Sequence, residues 1–258
     1  MPICPSDLIA FANHLADIAA DIIRAHADRP PEVEIKSDGS PVTTIDKAVE
    51  SAVRAEILKA HPDHGIHGEE FPPHQIDAPL VWIIDPIDGT KEWVQGLPLY
   101  GFLLALAQGD DIILGLADQP ALRHRWLGAA GHGTTRNGAP VHTRPGRTLD
   151  TAILSTMGYD TFAGARHAEL ARLRVNHRNT VTADSFYVFG LLAEGRVDLV
   201  ASAHFALHDY AALDAIVRNA GGTVTDWSGA PLGRHSDGTI LAAATPELHA
   251  EALAVLRQ

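Results

Sequence analysis

Asp85 and Asp88 close the apolar run Trp82-Ile83-Ile84, stand three residues apart and are followed by Gly89-Thr90. Such a run reads as a buried strand, so two carboxylates at its end sit where water solvates them poorly. Two ionised carboxylates about 4 Å apart repel by roughly 4 kcal/mol at an effective dielectric near 20, and a divalent cation between them reverses the sign. The pair, with the Ile87 carbonyl between its members, suits hard cations that take oxygen ligands. An EF-hand does not fit, because its third, fifth and twelfth positions would be Ile87, Gly89 and Gly96. A strand ending in an Asp-Gly turn is the plainer reading of the same residues. If a helix starts after Asp88, the free amides of Gly89 and Thr90 face an anion, and phosphate and cation positions adjoin.

Other acids are candidates with equally plain alternatives. Glu69 and Glu70, between Gly68 and Phe71-Pro72-Pro73, could form a solvated acidic turn. Asp209, ahead of Tyr210-Ala211-Ala212, could complement a helix dipole, and Asp46, three residues after Thr43, could complete a capping box. His61, His64 and His67 are closely spaced, but Pro62 and Gly65 place them in a loop poorly suited to zinc.

These residues need a scaffold, and the apolar spacing describes one. Leu8, Phe11, Leu15, Ile18 and Ile22 predict an amphipathic helix from Ser6 to His26 with Ser6 as its cap, ended by Arg29-Pro30-Pro31. Val33 and Ile35 read as extended, Ser37 to Pro41 as a loop, and Thr43 or Thr44 as the start of a helix carrying Ile45, Val49, Val53 and Ile57. Strands are expected at 80–84, 100–107, 112–117 and 123–128, with a hairpin at Asn137-Gly138. Further on, strands are expected at 152–155, 197–201, 223–227 and 239–243, and helices at 166–173, 184–194, 209–220 and 246–256. The mixture predicts an α/β (α+β) layered protein with a soft division into residues 1–146 and 147–258.

Composition narrows the partners. The chain has 258 residues, 46% of them apolar, enough for a large core. A formal net charge of -12 argues against nucleic acid or an anionic membrane as the main partner, although metal ions could still make a phosphate site locally positive. Cys4, the single cysteine, excludes an intrachain disulfide and a cysteine zinc site. Asp7, Asp17, Asp21 and Arg24 interrupt what would be a signal sequence, and the run Leu97 to Ala107 is too short for a membrane helix, so a cytoplasmic location is expected.

Taken together, Lys36, Ser40-Pro41-Val42-Thr43, Asp46, Gly68-Glu69-Glu70, Asp85 to Thr90, Asp209 with Ala211-Ala212, and Ala220-Gly221-Gly222 resemble the inositol monophosphatase family over nearly the whole chain. The resemblance implies magnesium-dependent, lithium-sensitive hydrolysis of a small-molecule phosphate ester by an αβαβα sandwich assembled as a homodimer. It implies that Glu69, Asp85 and the Ile87 carbonyl hold one Mg²⁺, that Asp85, Asp88 and Asp209 hold a second, and that Glu69 shares a third. Thr90, with Asp46 and Glu70, would position and deprotonate the attacking water, and the second ion would stabilise the leaving alkoxide.

For the substrate, Lys91-Glu92-Trp93, Glu69-Glu70-Phe71 and the stretch Leu191 to Val200 resemble the histidinol-phosphate phosphatase branch, with inositol phosphates or 3'-phosphoadenosine 5'-phosphate next. A metal- or phosphate-binding regulatory module is the non-enzymatic alternative. Two positions depart from the branch. Ser202 stands seven residues before Asp209, where many relatives carry a substrate-contacting Glu, and Ala183-Asp184-Ser185-Phe186 replaces Gly-Asp-Cys-Tyr. Asp184 is a candidate for a cationic substrate and equally for a helix N-terminal acid, while Asp88, Gly89 and Thr90 are candidates for the phosphate.

Overall fold

The structure, a computed structural model, describes residues 2–27, 32–35, 41–156, 165–175, 180–182 and 185–258. The expectations resting on Lys36, Ser40 and Asp184, and on the Arg29-Pro30-Pro31 stop, lie outside these residues.

Alternation along one strand sets the layering. In β4 (Leu80–Asp88), Val81 and Ile83 enter one core while Trp82 and Ile84 enter another, and all four are buried. A strand apolar on both faces must be covered on both faces. The first cover is α1 (Ser6–His26) with α2 (Thr44–Ala60), which meet Trp82 and Ile84 through Leu15, Ile23, Val49 and Val53. The second is α5 (Tyr187–Ala193) with α6 (Leu207–Asn219).

Among the described residues the large sheet runs β3 (Gly65–Gly68), β4, β5 (Gly101–Gln108), β6 (Asp111–Gln119), β7 (His124–Ala129), β8 (Gly133–Arg136) and β9 (Ala139–Val141). It is antiparallel except for β3 beside β4. Helix α6 lies flush on it because Gly115 and Gly128 leave room for the helix backbone: a Cβ on Gly115 would stand 2.1 Å from the Ala212 carbonyl oxygen. On the far side of α5 and α6 is a five-stranded sheet ordered β11 (Thr180–Thr182), β10 (Leu154–Thr156), β12 (Leu199–Ser202), β14 (Ile240–Ala243) and β13 (Thr223–Thr225). Its outer face is covered by α4 (Ala165–Val175) and α7 (Pro246–Leu256). The layers therefore follow the αβαβα order.

Ser6 is the first residue of α1 rather than its cap; Pro5 occupies the cap position without a side-chain hydrogen bond. The short hairpin β1 (Val33–Ile35) with β2 (Pro41–Thr43) includes Pro41, which the sequence places in a loop. No helix among the described residues is long and apolar enough to cross a membrane.

Candidate metal centre

Strand pairing delivers the acids. Strand β3 runs parallel to β4 with Gly68 opposite Ile84, so Glu69 leaves its strand beside Asp85. The β4–β5 ladder pairs Asp85 with Leu103 and resumes only at Asp88 with Gly101. Pro86 has no N–H to continue the pairing, and the resulting bulge releases the Ile87 carbonyl, which accepts the Thr90 hydroxyl at 3.1 Å. Asp209 comes from the first turn of α6, where its carboxylate accepts the Ala206 N–H at 2.6 Å. Asp85, Asp88 and Asp209 converge, each offering an oxygen within 4.8 Å of the others.

Their electrostatics demand a counter-charge. Asp85 is buried and its Oδ1 has no hydrogen-bond partner among the described residues. Burial first, then Glu69, Asp88, Asp209 and Asp46, drive its carboxyl well above the usual range. Burial and Asp209 push Asp88 up to about 8, against a lowering by the Phe186 N–H, which donates to Oδ2 at 3.2 Å. A buried oxygen without a donor, inside a cluster of like charges with no cationic side chain among the causes of these shifts, fits a hard divalent cation. Asp85, Asp88 and Asp209 are the residues brought together that could hold it. Glu69 lies close enough to raise Asp46, Asp85 and Asp88.

The second constellation is built from the start of α2. Thr43 caps that helix, its hydroxyl accepting the Ile45 and Asp46 N–H groups, while Asp46 Oδ2 accepts the Thr43 N–H at 2.9 Å and the Thr43 hydroxyl. Asp46 is fully buried, and burial raises its pKa despite those two donors. The expected capping box is thus present, and the acid's other oxygen, Oδ1, lies 3.5 Å from Thr90 Oγ1. Thr90 follows Gly89, whose φ of +80° begins the six-residue helix α3 (Thr90–Gln95); a Cβ there would stand 2.7 Å from the Leu99 carbonyl oxygen.

Several contributors escape sequence reasoning. Glu50 is fully buried and its carboxylate accepts the Glu70 N–H at 2.7 Å. A signal for it exists: Asp46, Glu50 and Arg54 recur every four residues, one position along from the apolar row Ile45, Val49, Val53 and Ile57. Ser185 donates to the Leu99 carbonyl and accepts the Tyr187 N–H, fixing the segment that carries the Phe186 amide. Gly101 leaves room for the Phe186 ring, which a Cβ would approach to 2.4 Å. Of the candidate histidines, His61 stacks on His64, and His64 Nδ1 accepts the Trp82 indole N–H at 3.1 Å. Ser202 ends β12 fully buried, its hydroxyl without a partner among the described residues.

Comparison with known proteins gives this geometry a context. The inositol monophosphatase family profile matches residues 5–258. A Streptomyces coelicolor protein named histidinol-phosphatase is 36% identical over 98% of this chain and 97% of its own. The chloroplastic bifunctional phosphatase IMPL2 of Arabidopsis thaliana is 37% identical over 85% of this chain, which spans 64% of that relative's length. Among solved structures, an inositol monophosphatase from Zymomonas mobilis superposes with a TM-score of 0.89 at 37% identity, covering 98% of each chain.

Proposed function

Because the chain belongs to the inositol monophosphatase family, we propose that it is a Mg²⁺-dependent phosphomonoesterase whose substrate is L-histidinol phosphate, released as histidinol and phosphate. The observation that carries the reaction class is the convergence of Asp85, Asp88 and Asp209 around an unpartnered buried oxygen. The substrate assignment is supported by the histidinol-phosphatase name of a relative that aligns over nearly the full length of both chains.

Two to three Mg²⁺ ions, held by Glu69, Asp85, the Ile87 carbonyl, Asp88 and Asp209, would supply positive charge for the phosphoryl group and the leaving oxygen. The protein's own part is positioning and proton transfer. Thr90 has one hydroxyl proton and two acceptors in reach, Ile87 O at 3.1 Å and Asp46 Oδ1 at 3.5 Å. Donating to the carboxylate frees the Ile87 carbonyl for a cation and turns a Thr90 lone pair toward the attacking water. Glu70 takes that water's proton as general base, and the amides of Gly89 and Thr90 hold the phosphate oxygens. Ser202 offers no charge to the ammonium of histidinol, so Asp184 is assigned that contact.

Thr90, Asp46 and Glu70 also argue against a module that only binds metal or phosphate, since binding needs no water-activating set. The test is phosphate release from L-histidinol phosphate, inositol 1-phosphate and 3'-phosphoadenosine 5'-phosphate with Mg²⁺, repeated with Asp184→Asn. The proposal expects the highest kcat/KM for histidinol phosphate, and a KM rise in the variant for that ester alone. A higher kcat/KM for either other ester overturns the substrate, and hydrolysis of none overturns the enzyme.

A further inference from the structure

We propose that Glu50 and Arg54 form a clamp that sets the position of Glu69 and Glu70, making them positioning residues for the metal centre; this rests on the metal-dependent reading above. Residues 69–71 belong to no helix or strand, yet they carry a proposed metal ligand and the proposed base. A ligand on such a segment is only as well placed as the contacts that hold the segment.

Helix α2 supplies those contacts from two successive turns. The Glu50 carboxylate accepts the Glu70 N–H at 2.7 Å. Four residues on, Arg54 donates to Glu50 at 3.2 Å and to the Pro72 carbonyl at 2.8 Å, and its guanidinium lies over the Phe71 ring, 5.9 Å from the centroid. Every residue from Glu70 to Pro72 is therefore tied to α2, which through Asp46 also anchors Thr90. One rigid helix thus references both the loop and the hydroxyl that must work together.

Gly68 gives an independent reading of how tightly this clamp fits. A Cβ at Gly68 would stand 1.9 Å from Glu50 Oε1 and 2.3 Å from its Cδ, so the carboxylate occupies the space of the missing side chain. Gly68 carries no positive φ, so its size, and not its backbone conformation, is what the position requires.

The test measures Mg²⁺ affinity by calorimetry, independent of any ester, together with melting in EDTA as a control for folding. Glu50→Ala is expected to weaken Mg²⁺ binding by about 10- to 100-fold, the range found when groups that orient metal ligands are removed. Glu50→Gln keeps an oxygen for the Glu70 N–H but turns an amide NH2 toward the Arg54 guanidinium, so it should lose less affinity than Glu50→Ala, which separates positioning from the loss of a negative charge. Arg54→Ala, at a position whose side chain is 16% exposed, should shift affinity in the same direction, and Gly68→Ala should do so only while Glu50 is present. Unchanged affinity in Glu50→Ala or, if that variant does not fold, in Arg54→Ala overturns the clamp. Equal losses in Glu50→Gln and Glu50→Ala also overturn it, in favour of a charge effect. Because the readout is metal affinity, a failure of ester hydrolysis would count against the enzyme reading and not against the clamp.

Discussion

The acid cluster destabilises the metal-free protein, and Asp88→Asn should expose that cost. At the 4.8 Å limit that encloses the Asp85, Asp88 and Asp209 oxygens, each fully ionised pair repels by about 3.5 kcal/mol at an effective dielectric of 20. The substituted amide retains an oxygen for the Phe186 N–H but carries no charge, so it relieves two such pairs. The relief is smaller than their sum because the metal-free site keeps a proton. Asp88 rises to about 8 in the fold from an ordinary value of 3.8. A carboxyl shifted upward holds its proton in the fold after it has lost it in the unfolded chain. Stability therefore falls with rising pH between those two values, by at most about 1.4 kcal/mol per pH unit, and levels off above the upper one.

The assay is thermal melting of wild type and Asp88→Asn in EDTA across pH 5 to 9, and again in saturating Mg²⁺. In EDTA the variant should melt higher, with the gap smallest at pH 5, widening to pH 8 and then constant. Allowing for partial solvent screening, a relief of about 2 kcal/mol corresponds to roughly 4–8 °C in a chain of this size. Mg²⁺ should reverse the order: at about 100 times its Kd a ligand adds about 2.7 kcal/mol to a protein that binds it, and the variant loses most of that gain. A variant that melts no higher than wild type in EDTA at pH 8, or that keeps the full Mg²⁺ shift, refutes the argument.

Asp46→Asn should lower kcat by about 10²–10⁴ while leaving Mg²⁺ affinity nearly unchanged, because it removes the acceptor for the Thr90 proton and no proposed ligand; single-turnover phosphate release measures it. His64→Phe strands the buried Trp82 N–H and should cost about 1–3 kcal/mol in urea unfolding above pH 7. Burial and His61 lower the His64 pKa, so its contribution is present above about 6.5 and is lost as pH falls below it. The variant should accordingly lose less stability than wild type on acidification, and equal acid losses would sink that account. Gly115→Ala drives a Cβ into the Ala212 carbonyl, a backbone atom that cannot rotate away, and should cost about 1–3 kcal/mol or more by calorimetric melting.

What the sequence disclosed about the fold follows from how much chain each element has in which to show a period. Helices α1 and α7 match their expected bounds, and α2 announces itself through Thr43 and Asp46. The Asn137-Gly138 turn is present with both residues at positive φ. Strands β2, β3 and β11 carry no such signal. Each has three or four residues, too few for an alternation, and β3 is half glycine. Their extended form is imposed by a neighbour, as β4 imposes it on Gly65 to Gly68. The same holds for Glu50, whose role depends on a loop twenty residues away meeting its carboxylate.

The two ends of the site differ in legibility because they differ in energy. Three carboxylates within 4.8 Å of one another carry repulsions of several kcal/mol when ionised, which a cation or retained protons must offset. A buried hydroxyl such as that of Ser202, or of Ser155 on the adjacent strand β10, costs about 1–3 kcal/mol when left without a partner. That is small enough for packing elsewhere to absorb, and many alcohols or amines could satisfy it. Reaction class is therefore written in a charge cluster that few partners can offset, whereas the choice of alcohol rests on single groups such as Ser202 and Asp184 that several alcohols or amines could satisfy. Comparing kcat/KM across esters, with Asp184 and Ser202 varied in turn, addresses the second question on its own terms.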